Sequence, residues 1–169
     1  MKRGGIKDFE KKLKTLKEYI ALATVDASSY NKTNIKLIKH LTETEKTPGV
    51  YVTLNKPCSN LLETLKKNKI DERMIIFVDG VTKVAGGDVK KTKNCLYIGS
   101  PEKLSDISIA MDQAVRAIPS KEKFVFFDSL STLLVYNKVE TVARFIHFLA
   151  SKMRGWKVKG IIISLEKDK

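Results

Sequence analysis

The chain has 169 residues, 43% of them hydrophobic, which is enough to bury one sizeable core and too few for two ordinary domains. No apolar run reaches the roughly 20 residues a membrane span needs, and the charged N-terminus lacks the apolar centre of a signal peptide, so a cytoplasmic protein with no membrane partner is expected. Thirty-two basic against 19 acidic side chains leave a net charge of +13, which admits nucleic acid as a partner class.

Ile6, Phe9, Leu13, Leu16 and Ile20 recur at helical spacing, predicting an amphipathic helix over residues 7–18 that packs on the core and covers a sheet edge. A strand from Ile20 to Val25 follows, then the loop Asp26 to Thr33, then a helix marked by Ile35, Ile38 and Leu41 that the Pro48-Gly49 turn closes. Val50 to Leu54 reads as the second strand, completing one βαβ unit. Pro57 opens a helix carrying Leu61, Leu62 and Leu65, and the apolar run Met74 to Val78 predicts a strand buried on both faces. Residues 80–94, with Gly80, Gly86 and Gly87, read as a mobile loop before a short strand from Cys95 to Ile98. Ser100-Pro101-Glu102 has the pattern of a helix start, and Leu104, Ile107, Met111, Val115 and Ile118 continue it as one apolar stripe. Phe124 to Phe127 is a buried strand ending in Asp128, residues 138–154 form a helix stopped by Gly155, and Gly160 to Ile163 is the last strand. This alternation predicts a single α/β domain over residues 1–169, three layers in α/β/α order around a mostly parallel sheet, with ligands beyond the carboxyl ends of the strands.

Asp26, Asp79 and Asp128 each follow a strand and share that edge. Each is read either as a helix or turn cap or, for Asp128 above all, as a carboxylate that holds Mg²⁺ through water. The loop Asp26-Ala27-Ser28-Ser29-Tyr30-Asn31-Lys32-Thr33 lies where a phosphate-binding P-loop, G-x-x-x-x-G-K-[ST], would lie. Lys32 and Thr33 keep the pair that reaches the phosphates and Mg²⁺, while Asp26 and Asn31 stand in the glycine positions. The two cysteines, Cys58 and Cys95, have no ligand-spaced neighbours and read as free thiols, without a zinc site or disulfide. His40 and His147 sit among apolar residues and read as structural. Val142, Ile146, Leu149 and Met153 fill one face of their helix while Phe145 and Phe148 point to another, which calls for a second partner such as another subunit.

The strand and loop at Ile20 to Thr33, the strand Gly49 to Asn55, and Phe124 to Leu134 with its Asp128-Ser129-Leu130-Ser131 core resemble, in order and spacing, strand one with Walker A, the second strand, and Walker B of the RecA/KaiC-like ATPases of archaea. The resemblance covers most of residues 20–165 and points to their small members with a degenerate Walker A. It implies a RecA-like P-loop NTPase core in which ATP and Mg²⁺ would be held by Lys32, Thr33 and Asp128 with Asn31 and Ser129. In active members a glutamate ending the second strand activates the attacking water; Asn55 or Lys56 stands there in this chain, and Ser164 is the one polar candidate for a γ-phosphate sensor on the final strand. Neither an amide nor an ammonium can accept the water's proton, so no meaningful hydrolysis and no catalytic residue is expected. The role that remains is a binding or regulatory module acting through a protein partner or a homo-oligomer; the alternatives are an ATP-binding protein using Lys32, Thr33 and Asp128 with weak or partner-dependent hydrolysis, and a basic nucleic-acid-binding domain. The basic surface is lysine-dominated, in clusters at Lys2–Lys17, Lys66–Lys69, Lys90–Lys93 and Lys152–Lys159, and shows no base-stacking platform. With a single glutamine, Gln113, this lysine-rich and glutamate-rich composition is also of the kind seen in thermophiles.

Overall fold

Six parallel strands form the middle layer of the computed structural model, which describes residues 5–90 and 92–166; Lys2 and Lys91 of the lysine clusters lie outside them. In chain order the elements are α1 (Ile6–Leu13), β1 (Tyr19–Val25), α2 (Tyr30–Lys39) with a π-helical extension (His40–Thr44), β2 (Gly49–Thr53), α3 (Cys58–Lys67), β3 (Ile75–Asp79), β4 (Cys95–Tyr97), α4 (Leu104–Ala117), β5 (Phe124–Asp128), α5 (Leu130–Tyr136), α6 (Val139–Trp156) and β6 (Lys159–Leu165). The spatial order is β1-β6-β5-β2-β3-β4, and every pairing is parallel.

Strand alternation sorts the core into two halves. Tyr51, Phe77, Phe124, Phe126, Ile161 and Ile163 face α1, α2 and α3 through Leu13, Leu37, Ile38, Leu61 and Leu65. Val50, Val52, Val78, Val125, Phe127 and Ile162 face α4, α5 and α6 through Ile107, Met111, Leu133, Val142, Leu149 and Met153. From β2 the chain moves outward to β4 and then returns to place β5 beside β2. A connection that keeps its hand must change face when its direction reverses, so α3 leaves β2 on one side and α5 leaves β5 on the other. The crevice between the ends of β2 and β5 is therefore the switch point of the sheet.

Several boundaries differ from the sequence reading. Helix α4 begins at Leu104 because Ser100 to Lys103 closes a separate turn, Lys103 N–H donating to Ser100 O at 3.1 Å. Helix α6 runs through Gly155 and stops at Lys157, which adopts the left-handed conformation (φ 55°) and donates its N–H to Arg154 O. The apolar stretch after Asp128 forms the extra helix α5, and Phe145 joins the buried face of α6, leaving Phe148 as the exposed ring. Cys58 and Cys95 are joined in a disulfide, not free: α3 packs over β3, β4 pairs with β3, and this brings their Cα atoms to 6.7 Å across a separation of 37 residues. Spacing in the sequence carries no trace of that approach. His40 is buried and bonded to Glu45, whereas His147 is exposed.

Gly49 lets β2 pass close against Phe124 of β5. A Cβ there would lie 2.3 Å from Phe124 Cγ and 2.4 Å from Phe124 O, so Gly49→Ala is expected to force strands β2 and β5 apart. A loss of about 1–3 kcal/mol, read as a lower midpoint in urea unfolding, is the expected outcome; an unchanged midpoint would show that the strands repack without strain.

Candidate functional site

Asp128 ends β5 at the switch point with no exposed surface, on the same sheet face as Phe124 and Phe126. Four side chains from two elements and a loop aim donors at its carboxylate. Tyr51 of β2 donates its hydroxyl to Oδ2 at 2.7 Å, and Asn34 of α2 donates Nδ2 to the same oxygen at 3.2 Å. Asn55, in the loop after β2, donates Nδ2 to Oδ1 at 2.9 Å, and the Tyr30 hydroxyl at the start of α2 lies against both oxygens. An ionised carboxylate accepts at about four lone-pair positions, so this one is fully engaged by protein donors. Ser129, also fully buried, extends the network. Its Oγ accepts from Asn55 Nδ2 at 3.2 Å and bonds Thr132 Oγ1 at 3.0 Å, and Thr132 in turn donates to Asn55 Oδ1. The Asp128–Ser129 peptide bond is cis, and Asp128 O accepts from Leu54 N–H at 2.7 Å.

The electrostatics follow from burial. Loss of solvation raises the pKa of Asp128 above the ordinary 3.8, while the hydrogen bonds from Tyr30, Tyr51 and Asn55 and the Lys56 charge oppose the rise. Burial and the adjacent carboxylate push the phenols of Tyr30 and Tyr51 well above their usual range, so both stay protonated donors.

Of the residues expected from the sequence, Asp128 and Ser129 come together here. Asn31 stands at the rim, exposed, accepting from the Lys56 ammonium. Tyr30 and Asn34, four residues apart, share the helix face toward Asp128, and this turns Lys32 to the opposite, exposed side of α2. Thr33 lines a separate hollow with Asp26, Ser29 and Leu37. The backbone from Asp26 to Thr33 is wound into a turn and the first coil of α2: Ser29 N–H donates to Asp26 O at 3.1 Å and Thr33 N–H to Ser29 O at 2.8 Å. Among the described residues positive φ occurs at Lys46, Lys69, Lys157 and Gly86, none of them in this segment. Asp79 is committed to structure, accepting from Cys58 N–H, Val81 N–H, Thr82 N–H and Thr82 Oγ1 at 2.6–2.9 Å. Among the described residues no group of three or more His, Cys, Asp or Glu is placed to hold a metal ion. Tyr30, Asn34, Tyr51 and Thr132 were not singled out in the sequence; the i, i+4 pair Tyr30 and Asn34 was the readable signal, and Tyr51 needed the register of β2 against β5.

Sheet order, layers and the polar crevice define a RecA/KaiC-like α/β/α domain. The chain belongs to a family of unknown function, DUF7504, whose model matches residues 28–163. Among solved structures it is similar to a KaiC-like protein, PH0186, of the hyperthermophilic archaeon Pyrococcus horikoshii, with a TM-score of 0.62 and 20% identity over 86% of this chain. It is also similar to PH0321 of the same organism, an uncharacterized protein in complex with an unknown peptide, with a TM-score of 0.66 and 15% identity over 95% of this chain. The chain spans 62% of the length of the first and 74% of the second. No curated protein matches it.

Tyr30→Phe tests the charge on this cluster. Because the folded pKa of Asp128 lies above the unfolded one, its contribution to stability is fully present below pH 3.8 and is lost as pH rises through the folded value. Removing the Tyr30 bond raises that folded value further. The variant should therefore lose about 1.5–3 kcal/mol near pH 7, where the acceptor is charged, and less near pH 4. Urea unfolding of both proteins at the two pH values measures this, and an equal loss at both would mean that the bond does not favour the ionised carboxylate.

Proposed function

We propose that this domain has kept the RecA/KaiC-like fold without its ATPase chemistry and acts as a binding or regulatory module through protein contacts. One observation carries the reading: the Tyr30 hydroxyl, donated from the P-loop position itself, occupies the carboxylate of Asp128 that an ATPase of this fold would turn to Mg²⁺. A Mg-nucleotide fits these residues poorly. The segment has none of the left-handed residues that curl backbone amides around phosphate, the Ser29 and Thr33 amides are already bonded, Asp26 adds a negative charge, and Lys32 faces away from Asp128. Asn55, at the place of the water-activating acid, is tied into the network through both ends of its amide.

The protein-contact half of the reading rests on exposed apolar surface at α5 and α6. Val135 is 78% exposed and Val139 67%, with Leu134, Tyr136 and Phe148 also exposed. The peptide described in the PH0321 structure is a property of that protein, and it makes polypeptide the ligand class to test on this one.

Thermal melts with and without excess Mg-ATP, run beside Lys32→Ala, test the first half. No shift in either protein is expected, whereas ligand at about 100 times its Kd would add roughly 2.7 kcal/mol. A shift of several degrees that disappears in Lys32→Ala would overturn the proposal in favour of nucleotide binding by Lys32, Thr33 and Asp128. For the second half, sedimentation velocity should show the mass of the wild-type chain rising with concentration and that of Val135→Asp/Val139→Asp staying monomeric. A wild-type mass that never rises removes a second copy as the partner.

A further inference from the structure

The two outer strands of the sheet are finished differently. Strand β4 is three residues long, follows Lys90 and Lys93, and is cross-linked to α3 through Cys95. Shortness, lysines and a fastening keep an edge from pairing with other chains. Strand β1 has none of these, since its seven residues include no charge and no proline. Glu166 N–H donates to Val25 O at 2.8 Å, so Val25, and with it Ala23, Ala21 and Tyr19, turns its backbone polar groups toward β6. Ile20, Leu22 and Thr24 therefore point theirs away from the sheet, and among the described residues no backbone group bonds them there. The Leu22 side chain is 60% exposed. Each helix layer has a hollow beside this edge. The hollow in the α6 layer, about 470 Å³, has Ile20, Met153 and Val158 as apolar lining and Glu18, Arg154 and Lys157 as charged lining. The hollow in the α1 and α2 layer, about 360 Å³, is lined by Ile6, Phe9 and Leu37 beside the second half of β1. Arg154 and Lys157 have no carboxylate at ion-pair distance among the described residues.

We infer that the free edge of β1 docks an extended segment of another polypeptide, which joins the sheet as a seventh strand antiparallel to β1 and carries acidic side chains at its C-terminal end. Ile20, Leu22 and Thr24 each exchange two backbone hydrogen bonds with the residue opposite, and the segment's side chains enter the two hollows in alternation. Antiparallel pairing is the more stable per residue, and it carries the segment's C-terminal end past Tyr19, where Arg154 and Lys157 outnumber Glu18. A second copy of this chain fits the edge poorly. In the self-paired register that uses all three outward residues, centred on Leu22, Glu18 stands opposite Asp26 at both ends, and each chain brings a net charge of +13. The site uses no residue of α5 and only the end of α6, so it stands whether or not Val135 and Val139 carry a contact of their own.

The test uses the full chain, labelled with ¹⁵N, and two acetylated and amidated probe peptides of alternating threonine and valine, one ending in two glutamates and the other in two lysines. Amide hydrogen exchange at Ile20, Leu22 and Thr24 is expected to slow roughly tenfold once about 90% of the protein holds the glutamate peptide, while Ala21 and Ala23, already bonded to β6, change little. No contact made by side chains alone would protect every second amide. The lysine peptide should bind roughly tenfold or more weakly, and Arg154→Ala should narrow that difference. Leu22→Pro removes one outward N–H and no bond to β6, so it should keep the fold and weaken the glutamate peptide roughly tenfold. Val135→Asp/Val139→Asp should bind as the wild type does. Free exchange at the three outward amides with millimolar peptide, equal affinity for the two peptides, or full affinity in Leu22→Pro would each overturn the assignment. Protection of the same amides that grows with protein concentration in the absence of peptide would replace it with a second copy. The exchange pattern needs no variant, so it decides even if a substitution fails to fold.

Discussion

Placing a carboxylate with no exposed surface at the end of a central strand is costly unless every lone pair finds a donor, and the arrangement around Asp128 is the answer to that constraint. Tyr51 reaches it from the neighbouring strand, Tyr30 and Asn34 from the helix above, Asn55 from the loop beside it. Each bond fixes a different piece of chain, so one charge sets the rotation of α2, the direction of the loop after β2 and the register of β2 on β5. Turning Tyr30 and Asn34 inward also decides what faces out, and Lys32 is the consequence. The chemistry at this edge thus follows from charge satisfaction within the core.

The sheet's opposite end has a matching device. Glu45, which follows the π-helical turn, accepts from Lys159 Nζ at 2.6 Å and bonds His40 Nε2 at 2.9 Å, with all three side chains less than a tenth exposed. Lys159 begins β6 and so ties the end of the α2 segment to the strand it passes over. A paired buried charge adds little net stability against an apolar substitute, but removing one partner strands the other, so such pairs enforce one arrangement over its neighbours. With Asp128 pinning its beginning and Glu45 pinning the turn that follows it, α2 is held at both ends over a core half made of Leu37, Ile38, Phe126 and Ile161.

Much of this architecture was legible in the chain. Apolar runs at β3, β5 and β6, the stripe of α4 and the strand-helix alternation define an α/β/α domain because burial on both faces leaves continuous hydrophobic strands. The resemblance to the RecA/KaiC-like group extended that reading to a specific fold, in agreement with the six-stranded parallel sheet and with PH0186 and PH0321. What sequence could not carry was anything requiring two distant segments at once. The Cys58–Cys95 bond depends on β4 lying beside β3, and Tyr51 joins the Asp128 cluster only because β2 and β5 are neighbours in register. Asp128 was visible as a strand-ending acid; that its donors are two phenols and two amides was not, since tyrosine and asparagine in an α/β chain carry no such signal by themselves.

Asn34 separates the parts of the cluster that structure requires from the part it leaves open. Its Nδ2 serves Asp128, and a serine or a histidine at that position of α2 could also have supplied a donor. An asparagine brings an acceptor as well, and here that acceptor is buried with no protein group to bond it. An unbonded buried carbonyl costs stability and tightens nothing in the Asp128 network, so Asn34 holds its place through Nδ2 alone.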